Sequence, residues 1–269
     1  MLPKGRTKKT MKKLLVLLMI VLLSACSANA KADTSLQKVI DSGKLIFGYT
    51  EYPPLGFTVD GKPTGFDVEI ATEVAKSLNV TLVPQYIDWD SKVLELNNRN
   101  VDVIWNGLTI TADREKEMTF SKPYLNNRIV ILTLSGTSIS KLSDLNGKKV
   151  GVELQSSGQL AVEENKTVAA SINELVKYTT ITEAILDLNA GGIDAIVADE
   201  IFARYATKTS PTLYKIADEV FNSENYGIGF RKGDITLQTK VDSILDDMAK
   251  DGTAAAISIK WFGENVFIR

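Results

Sequence analysis

The sequence predicts an α/β protein in two lobes. Two observations carry this. Short apolar segments alternate with amphipathic helical segments from residue 35 to the end, the pattern of sheets flanked by helices. The pattern also restarts midway: a short helical stretch leads into SGKLIFGY (42–49), and another into NGKKVGVE (146–153). The length of 269 residues, with 44% hydrophobic and 24% charged, accommodates two lobes of about 100–150 residues each.

In order, SLQKVIDSG (35–43) reads as a short helix and KLIFGYT (44–50) as a strand. GFDVEIATEVAKSLN (65–79) places Phe66, Ile70, Val74 and Leu78, with Ala71 and Ala75, on one helical face. TLVPQYI (81–87) is a strand at an edge or a bulge, because Pro84 lacks an N–H. SKVLELNNR (91–99) is helical and VDVIW (101–105) is a buried strand. This βαβαβ order predicts a mainly parallel sheet with helices on both faces. RIVILTL (128–134) is the next strand, then a short helix and strand in SKLSDLNGKKVGVEL (140–154) and a helix from about Ser157. A strand at VKY (176–178), a helix TEAILDLNA (182–190), a strand IDAIVA (193–198) and a helix after Asp199 follow. YGIGFRKG (226–233) precedes two closing helices, 235–252 and 253–263. No long low-complexity linker appears, so crossings near 125–129 and 221–226 are short hinge strands. Lobe 1 is then 36–126 plus 226–269, and lobe 2 is 127–225.

The N-terminus differs in kind. Six basic residues precede LLVLLMIVLL (14–23), ten apolar residues, too few to span a bilayer but suited to an export signal. Met11 is an alternative start, since MKKLLVLL suffices as a signal. The run ends in LSAC (23–26), which resembles the lipobox of bacterial lipoproteins, and Cys26 is the sole cysteine. Residues 1–25 are then the signal, and 26–35 a lipidated cysteine with a tether. The alternative is a secreted protein cut after SANA. Six of the 31 basic residues and none of the 33 acidic ones lie in the signal, leaving 25 against 33, a net of −8. That charge argues against a nucleic-acid partner. There is no histidine, which excludes a Ser-His-Asp triad or a zinc hydrolase and removes the commonest metal ligand. No cofactor or metal is expected.

Candidate binding residues cluster where strands meet helices. In NGLTITADREKEMTFSKPY (106–124), small and hydroxyl residues lead to Arg114 at a helix start, with Thr111 as N-cap. A planar guanidinium there suits a carboxylate, or else pairs at the surface with Glu115 or Glu117. Asp199 ends an apolar strand, where open α/β sheets gather ligands, or else caps the following helix. Ser156, Ser157 and Gly158 lie between a strand and a helix, offering free amides to an anion or capping the helix.

Seven stretches, in this order, resemble the extracytoplasmic solute-binding proteins of polar amino-acid ABC importers: 43–57, 65–76, 101–124, 145–158, 193–200, 226–234 and 251–263. The resemblance covers roughly 36–264 and implies a periplasmic-binding-protein-like (type II) fold, two lobes joined by a two-strand hinge and closing on a ligand. It implies that Arg114 binds the ligand carboxylate, supported from lobe 2 by Ser156, Ser157 and Gly158. It gives the ammonium to Asp199, with the Gly107 carbonyl and Thr109 hydroxyl nearby. Tyr52 and Trp89 form the aromatic pocket wall. Glu51 and Glu153 are open between pocket and surface, and Trp105 faces the core. The ligand class is glutamine, histidine, arginine or cystine.

The expected protein is a monomeric, lipid-anchored, extracytoplasmic binder, not an enzyme, which presents its ligand to an ABC permease whose ATPase is a separate chain. The competing reading is a dehydratase of the same fold, with Glu51 or Glu153 in acid/base work. A third is the ligand domain of a membrane sensor or a cell-wall enzyme, against which the end of the chain at Arg269, with no further domain, is set.

Overall fold

The computed structural model describes residues 32–269. The signal, Cys26 and the first part of the tether therefore lie outside the described residues. Helix α1 (Ser35–Ser42) precedes strand β1 (Lys44–Tyr49), the hairpin β2 (Phe57–Val59) and β3 (Lys62–Thr64), and helix α2 (Phe66–Ser77). Then come β4 (Thr81–Tyr86), a 3-10 turn at Trp89–Ser91, α3 (Lys92–Asn97), β5 (Val103–Ile104), α4 (Ala112–Glu117) and β6 (Met118–Phe120). The chain continues through β7 (Leu125–Leu134), β8 (Lys149–Glu153), α5 (Ser157–Glu164), α6 (Lys166–Ser171), β9 (Glu174–Tyr178), α7 (Ile181–Ala190), β10 (Ala195–Asp199) and α8 (Glu200–Thr209). Strands β11 (Tyr214–Tyr226) and β12 (Gly229–Arg231) lead to α9 (Ile235–Lys250) and α10 (Thr253–Phe262). Among the described residues no helix is long and apolar enough to cross a membrane.

Two five-stranded sheets result, in the orders β4-β1-β5-β12-β6 and β11-β7-β10-β8-β9. The chain leaves the first sheet after β6 and returns to it at β12. Both sheets are mixed, which corrects the expectation of a mainly parallel sheet. β1 runs parallel to β4 and β5 through crossover helices, but β12 pairs antiparallel with β5 and β6. In the second sheet β8, β9 and β10 are parallel, and β7 is antiparallel to β10 and β11. The antiparallel pairs form where the chain crosses between sheets and comes back without a helix. β4 is an edge strand, and Pro84 pairs in register with Phe47 without a bulge.

The hairpin at 57–64 was not among the expected elements, although its signal is present. Asp60 and Gly61 take φ of 49° and 73°, the two-residue turn that Asp-Gly favours. The strand expected at 101–105 shortens to Val103–Ile104, and β11 runs for 13 residues through a mostly polar stretch that carries no strand period.

One large apolar cluster runs through both sheets, from Phe47 and Val74 to Leu132 and Phe202, and a smaller one backs each sheet. Phe66, Ile70 and Val74 of α2 are fully buried, as the helical period requires, and α2 packs against β1, α9 and α10. Trp105 is fully buried, with its ring tilted against Phe47 and edge-on to Tyr124, so it faces the core as expected. Around the second sheet, Ile129, Ile131, Val150, Val152, Val162 and Val197 form a cluster. Each such side chain stabilises the fold by about 1.5–3 kcal/mol on burial.

Candidate functional site

The C-terminal ends of β8 and β10 face the loops after β1 and β5 across a narrow cleft. Tyr52, Trp89, Gly107 and Arg114 line it from the elements of the first sheet, and Glu153, Ser156, Ser157 and Asp199 from those of the second. Thr50 and Asn106 complete the lining, with the Asn106 amide donating to the Thr50 carbonyl at 2.8 Å.

Arg114 stands in the first turn of α4, whose N-cap Thr111 accepts from the Arg114 amide at 3.2 Å. Its side chain is 9% exposed and makes no ion pair with any acid among the described residues. One guanidinium nitrogen donates to the Thr109 carbonyl (2.9 Å) and the other to the Gln155 carbonyl (3.0 Å). The fork thus bridges the two sides of the cavity, close enough to feel the Glu224 and Asp199 carboxyl groups but with no direct ion pair among the described residues. Burial lowers its pKa from the ordinary value, yet an arginine keeps its proton.

Asp199 occupies the N-cap position of α8, but its side chain makes no capping bond. It is 5% exposed and accepts from the hydroxyls of Tyr52 and Tyr226 and from the Asn127 amide. Its carboxylate is aimed into the cavity rather than at the helix. Ser156 does cap α5, accepting from the Gln159 amide at 3.1 Å, while lining the cavity as well. Gly158 lies behind the wall: a Cβ there would meet the Val197 carbonyl oxygen at 2.4 Å, so only glycine lets α5 start against β10.

Thr109 and Ser157 approach within 3.2 Å of each other across the cavity, and both donate to Glu224 (2.6 and 3.2 Å). The Asn127 amide nitrogen bonds both Glu224 (2.9 Å) and Asp199. Burial, followed by the Asp199 charge, pushes the Glu224 carboxyl up to about 7. Glu153 is 3% exposed and accepts from the Ile181 amide at the start of α7 (3.3 Å). Burial, then Asp199, pushes its carboxyl up to about 8. Lys92 donates to the carbonyls of Trp89 (2.9 Å) and Gln155 (3.3 Å), with its ammonium 4.8 Å from the Trp89 ring centre. Burial, then Arg114, lowers it to about 7.

Glu51 is not part of the lining. Its carboxylate accepts from the amide (2.9 Å) and hydroxyl (2.5 Å) of Thr58, tying the loop to β2. Glu153 is buried in the wall instead, which the residue type alone left open. Glu224, Asn127, Tyr226 and Lys92 were not among the expected residues. Glu224 and Asn127 sit in the polar stretches NSEN and YLNN, where no period or motif marks a buried role, while Tyr226 opens the stretch 226–234 and Lys92 lies in the helical segment 91–99, where a core or a surface role is the ordinary reading. Behind the site, Asp67 of α2 accepts from the Gly107 amide (3.1 Å) and the Tyr124 hydroxyl (2.9 Å). It holds Gly107 at φ 65°, a left-handed conformation that suits glycine. Burial raises the Asp67 carboxyl to about 7.

Within the described residues no group of His, Cys, Asp and Glu is arranged to hold a metal. The arrangement offers one cation and one carboxylate for a zwitterion, aromatic walls, and further acids.

The family model of the bacterial extracellular solute-binding proteins, family 3, matches residues 45–264. The L-cystine-binding protein TcyJ of Escherichia coli K12 is 34% identical over 255 residues, covering 92% of this chain and 93% of TcyJ. An ABC uptake transporter substrate-binding protein from Streptococcus pneumoniae, solved with bound histidine, is 32% identical with a TM-score of 0.85, over 89% of this chain and 100% of that one. An ancestral arginine-binding protein bound to arginine is 38% identical with a TM-score of 0.77, over 82% and 99%.

Proposed function

Because the chain belongs to family 3 of the bacterial extracellular solute-binding proteins, we propose that it captures a polar amino acid outside the cell membrane and delivers it to an ABC permease by closing two lobes. The observation that carries this is the clamp: Arg114, buried with no ion pair among the described residues, and Asp199 in the same cavity lining, which does not cap its helix. A free amino acid brings one carboxylate and one ammonium, and each charge costs less to bury when it meets its opposite. Arg114 takes the carboxylate through two parallel hydrogen bonds, with Ser156 and the first amides of α5 beside it. Asp199 takes the ammonium, and Tyr52, Tyr226 and Asn127 keep it in place. Tyr52 and Trp89 pack on the side chain.

Closure follows from the same contacts. A ligand bonded to both sides of the cavity binds the closed form better and shifts the population toward it. Lobe 1 is 36–126 with 226–269 and lobe 2 is 127–225, with β7 and β11 as the crossing strands. Cys26 carries the lipid anchor, and the protein works as a monomer at the outer face of the membrane. The named relatives are binding proteins, which favours this reading over the dehydratase.

Calorimetric titration with glutamine, histidine, arginine and cystine, each beside its N-acetyl and methyl-ester derivatives, tests the clamp. Binding of one or more free amino acids, lost when either end is blocked, is expected. Equal binding of the blocked forms would contradict it.

A further inference from the structure

The site holds more carboxyl groups than a zwitterion answers. Arg114 and Asp199 match the ligand's two ends. Glu224 does not line the cavity, and Thr109, Ser157 and Asn127 all donate to one of its oxygens. Glu153 is met once: one oxygen accepts from the Ile181 amide, and the other has no hydrogen bond among the described residues. It shares the cavity wall with Tyr52 and Trp89, the residues placed against a ligand side chain. Lys92 does not pair with it, since its ammonium is committed to two carbonyls and the Trp89 ring.

Resting on the amino-acid reading above, we propose that Glu153 reads the ligand's side chain and that the site selects an amino acid with a cationic side chain, a guanidinium or ammonium that ends on the unmet Glu153 oxygen. A buried carboxylate with an unmet oxygen is costly, and two remedies exist: a proton or a cation. Around Glu153, Arg114 of α4 and Lys92 of α3 favour its ionised form, while Asp199 of β10 opposes it. The hydroxyls of Tyr52 and of Tyr86 on β4 also feel its charge. Without a cation the carboxyl keeps its proton to about 8. A cationic ligand expels that proton, so its affinity rises with pH up to about 8. A neutral side chain leaves the proton in place and gains nothing from higher pH.

L-arginine and L-citrulline test this, having the same length but a guanidinium in one and a neutral urea in the other. Dissociation constants are measured by calorimetry at pH 6 and pH 8.5 for the protein and for Glu153→Gln. Arginine is expected to bind about tenfold or more tighter at pH 8.5, with the preference shrinking at pH 6. In Glu153→Gln the preference and its pH dependence disappear while citrulline still binds. Equal or tighter citrulline binding in the unaltered protein, or a preference that survives the substitution, overturns the proposal. If the variant does not fold, the pH comparison on the unaltered protein decides alone. Binding of other amino acids but not arginine overturns this inference and leaves the amino-acid reading standing; no binding by any amino acid overturns both.

Discussion

Arg114 and Asp199 are residues whose surroundings argue against their commoner roles. An arginine at a helix start usually pairs at the surface, and an aspartate before a helix usually caps it. Here the first is buried with no ion pair among the described residues and the second makes no capping bond. Arg114→Ala removes the partner of a buried carboxylate, so affinity for the free amino acid should fall by about a hundredfold or more, read by calorimetry. Near-normal affinity would remove the arginine from the site. Asp199→Asn should weaken binding of the free amino acid far more than of its N-acetylated form, and an equal loss would mean a purely structural role. Both residues were candidates in the sequence because each stands beyond an apolar strand, and the resemblance to importer binding proteins, more than position, pointed to their proposed roles. Glu224 was not, since nothing local distinguishes a hinge-strand glutamate from a solvated one.

At the scale of elements, the start of α5 against β10 sets the geometry of the cavity wall. Gly158→Ala drives a methyl into the Val197 carbonyl, 2.4 Å away, and the helix must shift. The cost should be about 1–3 kcal/mol in stability, seen as a lower melting temperature, together with weaker ligand binding because Ser156 and Ser157 move with it. Unchanged melting and binding would show that the helix start adapts freely. The long amphipathic helices were readable, since Phe66, Ile70 and Val74 recur at helical spacing. Of strand β11 only the end, 221–226, was expected, as a hinge strand: Asp218, Glu219, Asn222, Ser223 and Glu224 carry no alternation, and the strand is held by backbone pairing with β7 instead. The mixed sheet order was hidden for the same reason, because it depends on which strand the chain returns to after the second sheet.

For the whole molecule, the buried acids make stability depend on pH. Asp67, Glu153 and Glu224 keep their protons to about 7 or 8 in the folded chain and lose them near 4 when unfolded. The folded state therefore binds more protons between those values, and stability falls as pH rises from about 4 to about 7. Above that, Lys92, lowered to about 7, acts with the opposite sign, since the unfolded chain then holds the extra proton. The ligand-free protein should melt higher at pH 5.5 than at pH 7, and the reverse would contradict the burial of these groups. Replacing Cys26 by serine should release the protein from the membrane into the soluble fraction; retention would place the anchor elsewhere. The most direct measurement is a thermal-shift screen against the common amino acids and cystine. A ligand at about a hundred times its dissociation constant adds about 2.7 kcal/mol. A clear upward shift with one or a few amino acids, absent in Arg114→Ala, is the predicted result. No shift with any of them would contradict an amino-acid clamp.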